Sequence, residues 1–185
     1  MIYEIIAIIL MIVFYGAYFV KNTYLLRQNI DVYQLGRGKK KRALAVKEII
    51  LKYMTALVAI VQVFSLYYHS SRWSAIGLLI AGLGVVVYIT ALLTIKDNWR
   101  VGISAREKTK LITTGIYKFS RNPAFTGLYL VYAGLLVAFP CWIHFSVVIL
   151  AIVSIHLQVL EEEKHLARLF GKEYQEYKGK TRRYI

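Results

Sequence analysis

Two short polar runs hold most of this chain's chemical potential, Arg121-Asn122-Pro123 and Glu161-Glu162-Glu163. Proline is favoured in the first turn of a helix, where its missing N–H costs nothing. A helix is therefore expected to start at Pro123, with Asn122 as its N-cap. The unpaired amides of such a start, the positive end of the helix and the adjacent Arg121 suit an anionic group such as a carboxylate. An ordinary capped helix at a membrane interface accounts for the same three residues. The glutamates stand out for another reason: they form a triplet in a chain with 10 acidic residues. At the end of a helix they would oppose its negative pole. Either the helix runs on to Gly171, a natural terminating residue, or a carboxylate is kept for a cationic ligand. The two readings are compatible.

His156 and Gln158 lie about one turn before the glutamates, inside an apolar run. Polar groups at that depth are functional candidates, or else they satisfy one another between helices. Together with Trp99 and Arg100, from the polar stretch Asn98–Phe125, they are the candidate substrate contacts. No metal site is expected, because His156 and His165 lack a ligand spacing with the glutamates. Cys141, the single cysteine, reads as a packing residue.

The surrounding chain must position these groups within a membrane. Of its 185 residues 58% are hydrophobic and 18% charged, and the mean hydropathy is +0.51. So apolar a composition in so short a chain predicts spanning helices in an all-α fold of one domain, residues 1–185. Five spans are expected, at about 2–20, 49–68, 73–95, 124–139 and 142–160. A cleaved signal peptide is the competing reading of the first, but no basic region precedes it and no small-residue cleavage site follows. His69-Ser70-Ser71-Arg72 and Pro140-Cys141 are links short enough to make two antiparallel hairpins. Gly77, Gly82 and Gly84 in the third span permit close helix contact. The run Gly36-Arg37-Gly38-Lys39-Lys40-Lys41-Arg42 reads as a solvated loop, since it lacks the flanking strand and the Lys-Ser/Thr ending of a nucleotide loop.

The net charge of +14 would suggest nucleic acid in a soluble protein. Here the charges are partitioned instead. With five spans, segments 21–47, 96–122 and 161–185 share one side, and with Lys52 they hold every one of the 24 Lys and Arg residues except Arg72. That side is then cytoplasmic and the N-terminus lies outside. This partition excludes nucleic acid as the partner and points to the lipid bilayer. The compact chain suggests a prokaryotic inner (plasma) membrane. Leu166, Leu169, Phe170, Tyr174 and Tyr177 recur at helical spacing, so segment 161–185 is expected to fold back on segment 98–125.

The run Leu111-Ile112-Thr113-Thr114-Gly115-Ile116-Tyr117, followed by Arg121-Asn122-Pro123-Ala124-Phe125-Thr126-Gly127, resembles a hallmark of the isoprenylcysteine carboxyl methyltransferase family, a group that includes phospholipid N-methyltransferases. A second hallmark resembles Glu162-Glu163, Leu166, Phe170-Gly171, Tyr174 and Tyr177, with Arg182-Arg183-Tyr184 as the ending. Asn98-Trp99-Arg100-Val101-Gly102 is similar to bacterial members. The likeness covers roughly residues 97–185. It implies an S-adenosylmethionine-dependent methyltransferase whose cofactor site joins the loop before the fourth helix to the C-terminal helix. Its cofactor contacts would be Thr109, Lys110, Leu111, Ile112, Tyr117, Asn122, Pro123, Ala124, Phe125 and Glu162. The methyl acceptor would be amphiphilic: a carboxylate, phenol or amine. Gln158 stands where carboxyl methyltransferases of this family carry a substrate-binding arginine, which weakens the case for a prenylcysteine carboxylate. The catalytic base is left unassigned. A sterol-type reductase using NADPH and a non-catalytic membrane scaffold are the competing classes.

Overall fold

In a computed structural model of the protein, residues 1–36, 42–67, 71–103 and 110–184 are described. Their regular structure is helical: α1 Ile2–Arg27, α2 Arg42–Ser65, α3 Ser74–Ile95, α4 Pro123–Ala138, α5 Trp142–Phe170 and α6 Lys172–Lys180. Short 3-10 turns cover Lys96–Asn98 and Gly115–Lys118, and the described residues contain no strand, only the isolated bridges Tyr33 to Val101 and Ser120 to Arg182. The fold is all-α, as composition and hydropathy predict. Of the basic loop, Arg37 to Lys41 lie outside the described residues, as do His69, Ser70 and Thr109.

Three helical stretches are long and apolar enough to cross a membrane: Ile2–Arg27, Ser74–Asn98 and Trp142–Phe170. The other two expected spans differ in kind. α4 has 16 residues, about 24 Å at 1.5 Å per residue, which is short for the ~30 Å hydrocarbon. α2 is long enough, but Arg42, Lys47, Glu48 and Lys52 lie in its first three turns. It starts seven residues before the expected span and carries these charges into the helix. α5 passes through the glutamate triplet and ends at Gly171, whose φ of 54° is a left-handed value that glycine adopts without strain.

The helices pack in the series α1, α3, α4, α5, α2. The tightest contact is α3 against α4, and glycines make it so. A Cβ built on Gly84 would sit 2.7 Å from the Gly127 oxygen, and one on Gly134 2.4 Å from the Ala81 nitrogen. The backbones therefore touch at two levels seven residues apart on each helix, bringing their dispersion contacts to maximal density. Gly77 and Gly84 act as expected. Gly82 instead faces Leu10 across an ordinary 3.9 Å contact, because it lies on the α1 side of α3. Tyr15 of α1 donates its hydroxyl to Gln62 Oε1 of α2 at 2.8 Å, joining the two ends of the series.

A buried carboxylate ties the loops at one end. Glu48, with no exposed surface, accepts the Gly36 amide at 2.7 Å and the Ile103 amide at 3.1 Å. The second contact fixes the chain just beyond Trp99-Arg100. Val101 also exchanges backbone hydrogen bonds with Val32 and Gln34, both 2.9 Å.

The α3–α4 seam generates a test. Gly134→Val must displace backbone and should lower unfolding stability by about 2 kcal/mol or more, an overpacking penalty. Gly82→Ala should change it by under about 0.5 kcal/mol. Thermal unfolding of both variants in detergent would separate them; equal midpoints would contradict the seam.

Candidate cofactor and substrate site

The site is built where the start of α4, the end of α5 and the C-terminal strap meet. Pro123 occupies the first turn of α4, as expected, and Asn122 is at the N-cap position. Its side chain does not cap, however. The Asn122 amide nitrogen Nδ2 donates to Glu163 Oε1 at 3.0 Å and to the Arg183 carbonyl at 3.3 Å. The first-turn amides of Ala124 and Phe125 thus have no side-chain cap and need another acceptor.

Arg121 lines the cavity, but its guanidinium is already engaged by protein partners. Its guanidinium meets Glu163 at 3.1 Å, and both side chains are under 10% exposed. It also donates to the Thr181 and Lys178 carbonyls. Arg183 reaches the same carboxylate from the other side, Nη2 to Oε2 at 3.0 Å. Glu163 is therefore the hub: two guanidiniums and one amide converge on it. Burial raises its pKa, but the Arg183 hydrogen bond, the charges of Arg121 and Arg183 and the Asn122 hydrogen bond outweigh this and hold it below the ordinary 4.5.

The strap closes with backbone contacts. The Arg121 amide donates to the Arg182 carbonyl at 2.8 Å, and Ser120 Oγ to the Arg183 carbonyl at 3.2 Å. Tyr177 of α6 donates its hydroxyl to the Tyr117 carbonyl at 2.6 Å. Burial pushes the Tyr177 phenol up to about 12, so it stays a donor at neutral pH. The C-terminal segment does fold onto the polar block before α4.

These contacts form one wall of a cavity of about 970 Å³. One end is polar, with Asn98, Trp99, Arg100, Lys110, Glu162 and His165. The other runs between α1 and α2 along Phe14, Tyr15, Ala56, Ala59 and Ile60. Phe19 and Ile60 line it while being 60% and 67% exposed, so it opens sideways between those helices. Among the candidate residues, Lys110, Leu111, Ile112, Tyr117, Asn122, Ala124, Phe125, Gln158, Glu162, Trp99 and Arg100 all line this one cavity. They come from three separate stretches of chain.

Two candidates do not line it. Pro123 is buried in the α4 start. His156 turns its Nδ1 to the Tyr184 hydroxyl at 2.9 Å, and Tyr184 meets Tyr129 at 3.3 Å. Helical periodicity explains this: His156 and Gln158 are two residues, about 200°, apart. Gln158 faces in, donating Nε2 to Glu162 Oε1 at 3.1 Å. Trp99 is held by a hydrogen bond from its Nε1 to Asn22 Oδ1 at 2.8 Å, and Arg100 Nη1 donates to the Asp97 and Trp99 carbonyls. Among the described residues no His, Cys, Asp and Glu cluster could hold a metal ion. The sequence reading missed Asn22, which orients Trp99, and Glu163 as the hub. The adjacent Arg182-Arg183 pair was the available signal for the latter.

The hub carries a prediction. Glu163→Gln leaves Arg121 buried without a counter-charge and should destabilise the fold by about 3 kcal/mol. Arg183→Ala, at a half-exposed partner, should cost about 1 kcal/mol or less. Because Glu163 titrates below 4.5, its stabilisation is present above pH 4.5 and lost as pH falls through its folded value. The wild type should lose protection of the Arg121 amide over that acid range. Protection of that amide that does not fall as the pH drops below 4.5 would contradict the hub.

The sequence matches the family model of the phospholipid methyltransferases over residues 70–173, whereas no curated protein matches it. The match spans more than half of the chain, from the start of α3 past the glutamate triplet, and so includes most of the cavity's polar wall. Membership of this family makes a methyltransferase acting on lipid-like substrates the activity class. The apolar helices accord with a membrane protein. The chain belongs to the phospholipid methyltransferase family, within the group of membrane methyltransferases related to the isoprenylcysteine carboxyl methyltransferases.

Proposed function

We propose that the protein transfers a methyl group from S-adenosylmethionine to an amphiphilic, lipid-like acceptor at the cytoplasmic face of the inner (plasma) membrane. The observation that carries this reading is the single cavity that is polar where the family's hallmark segments meet and apolar where it opens between α1 and α2. The chain would form one domain crossing the membrane five times, N-terminus outside, with the short α4 shielded by α3 and α5.

The residues at the polar end suit the donor's chemistry. The uncapped amides of Ala124 and Phe125 would take its carboxylate. Glu162 would balance its ammonium or the positive sulfur. Lys110, Leu111, Ile112 and Tyr117 would form the wall beside it, with Asn122 and Pro123 fixing the start of α4. Thr109, which lies outside the described residues, is assigned to the same wall by the family likeness alone. When bound, the donor supplies an electrophilic methyl on a sulfonium. The protein's part is alignment of nucleophile, carbon and sulfur, and exclusion of water from the apolar side. The acceptor's hydrocarbon would lie along Ala56, Ala59 and Ile60, and its polar group near Gln158, Trp99 and Arg100. The exposed Lys52 and Lys110 at the polar rim suit a phosphate. His156 has no direct contact in this arrangement and acts only through Tyr184.

Equilibrium binding of S-adenosylmethionine, with NADPH in parallel, tests the reading on protein in nanodiscs. Micromolar binding of the first and none of the second is expected. Glu162→Ala should weaken binding by about tenfold to a hundredfold, the worth of a charge-assisted hydrogen bond. Binding of NADPH alone would contradict the proposal, and unchanged affinity in Glu162→Ala would remove that residue's role.

A further inference from the structure

Gln158 is 2% exposed and lines the cavity, and its Oε1 has no hydrogen-bond partner among the described residues. Its orientation is set by chemistry. Nε2 donates to the Glu162 carboxylate at 3.1 Å, and an ionised carboxylate only accepts, so the amide nitrogen must face it. The carbonyl oxygen is left over, desolvated and without a donor. A buried unsatisfied acceptor costs free energy that an arriving N–H or O–H would recover. The cations of the cavity are differently placed: Lys52 and Lys110 are exposed, Arg100 already donates to two carbonyls, and Arg121 is paired with Glu163.

We propose that Gln158 is the specificity-determining residue of the acceptor site, and that its Oε1 reads the N–H or O–H that methylation consumes. The inference rests on the methyl-transfer reading above and names the acceptor class within it: an amine or hydroxyl group on an amphiphile, not a carboxylate. In the transfer, the acceptor's lone pair forms the bond to the methyl carbon. The carbon–sulfur pair stays on sulfur, turning the sulfonium into a thioether, and the acceptor's proton leaves to water. Each transfer removes one X–H. A fully methylated product no longer satisfies Oε1, so the same atom that admits the substrate favours release of the product. A carboxylate has no proton to offer at neutral pH, and would meet both Oε1 and the Glu162 carboxylate.

The test compares amphiphiles that share chain and charge but differ in whether the head group carries an X–H donor. Binding of hexadecylamine is measured against hexadecyltrimethylammonium, and hexadecanol against hexadecyl methyl ether, on wild-type protein in nanodiscs. The member with the X–H should bind at least about tenfold tighter in one pair or both, a hydrogen-bond-sized difference. The pair that shows the gap identifies amine or hydroxyl as the source. Hexadecanoate should bind more weakly than either donor. Gln158→Met should close the gap while retaining affinity for the methylated members, a split that loss of structure would not produce. Equal affinity within both wild-type pairs, or preference for hexadecanoate, would overturn the proposal even if Gln158→Met fails to fold. Binding of S-adenosylmethionine is followed in the same samples. Its absence beside a clear gap would sink the methyl-transfer reading, and with it the acceptor role of Gln158, leaving Oε1 only as the donor-reading atom of an amphiphile-binding cavity.

Discussion

The Glu163 carboxylate is the constraint on which the polar half of the structure depends. It lies toward the C-terminal end of α5 and gathers Asn122 and Arg121 from the start of α4 and Arg183 from the strap. An ionised group with so little exposure is stable only because its partners are charged and well placed. Its neighbours explain the geometry around it. With Asn122 engaged there, the first-turn amides of α4 stay uncapped. With Arg121 engaged there, its guanidinium is taken up by the ion pair. A structural ion pair thus takes up the side chains that could otherwise cap the start of α4.

The apolar half rests on a different interaction. Backbone contact between α3 and α4 places the start of α4 rigidly against the end of α3, and so against Lys96–Asn98 and Trp99. α1 and α2 sit at the two ends of the packing series and are joined through Tyr15 and Gln62. They leave space between them, which becomes the apolar length of the cavity. A closely packed centre with open flanks suits the lateral entry proposed for the acceptor.

Much of this was legible in the sequence. The helical class followed from hydropathy, the start at Pro123 and the end at Gly171 from residues with one conformational use each, and the meeting of the two polar segments from the periodicity of Tyr174 and Tyr177. What was not legible depended on partners far away in the chain. Asn122 reads as a cap until Glu163 is seen to claim its amide. Arg121 reads as an anion ligand until the same carboxylate takes it. His156 and Gln158 look equivalent in a string of letters, yet the helix turns one to Tyr184 and the other to the cavity. Glu48 sits just beyond a run of basic residues, and nothing local marks it as the buried acceptor of the Gly36 and Ile103 amides. Gly127 and Gly134 carry meaning only opposite Gly84 and Gly77. Local conformational rules were readable; long-range pairings of polar groups were not.

The central claim is that segments 110–125 and 158–166 form one site. Hydrogen exchange across the whole chain, with and without saturating S-adenosylmethionine, tests it most directly. Added protection is expected in both segments at the same ligand concentration, including the Ala124 and Phe125 amides, with little change in the α3–α4 seam. Protection confined to one segment, or spread evenly over all helices, would contradict it.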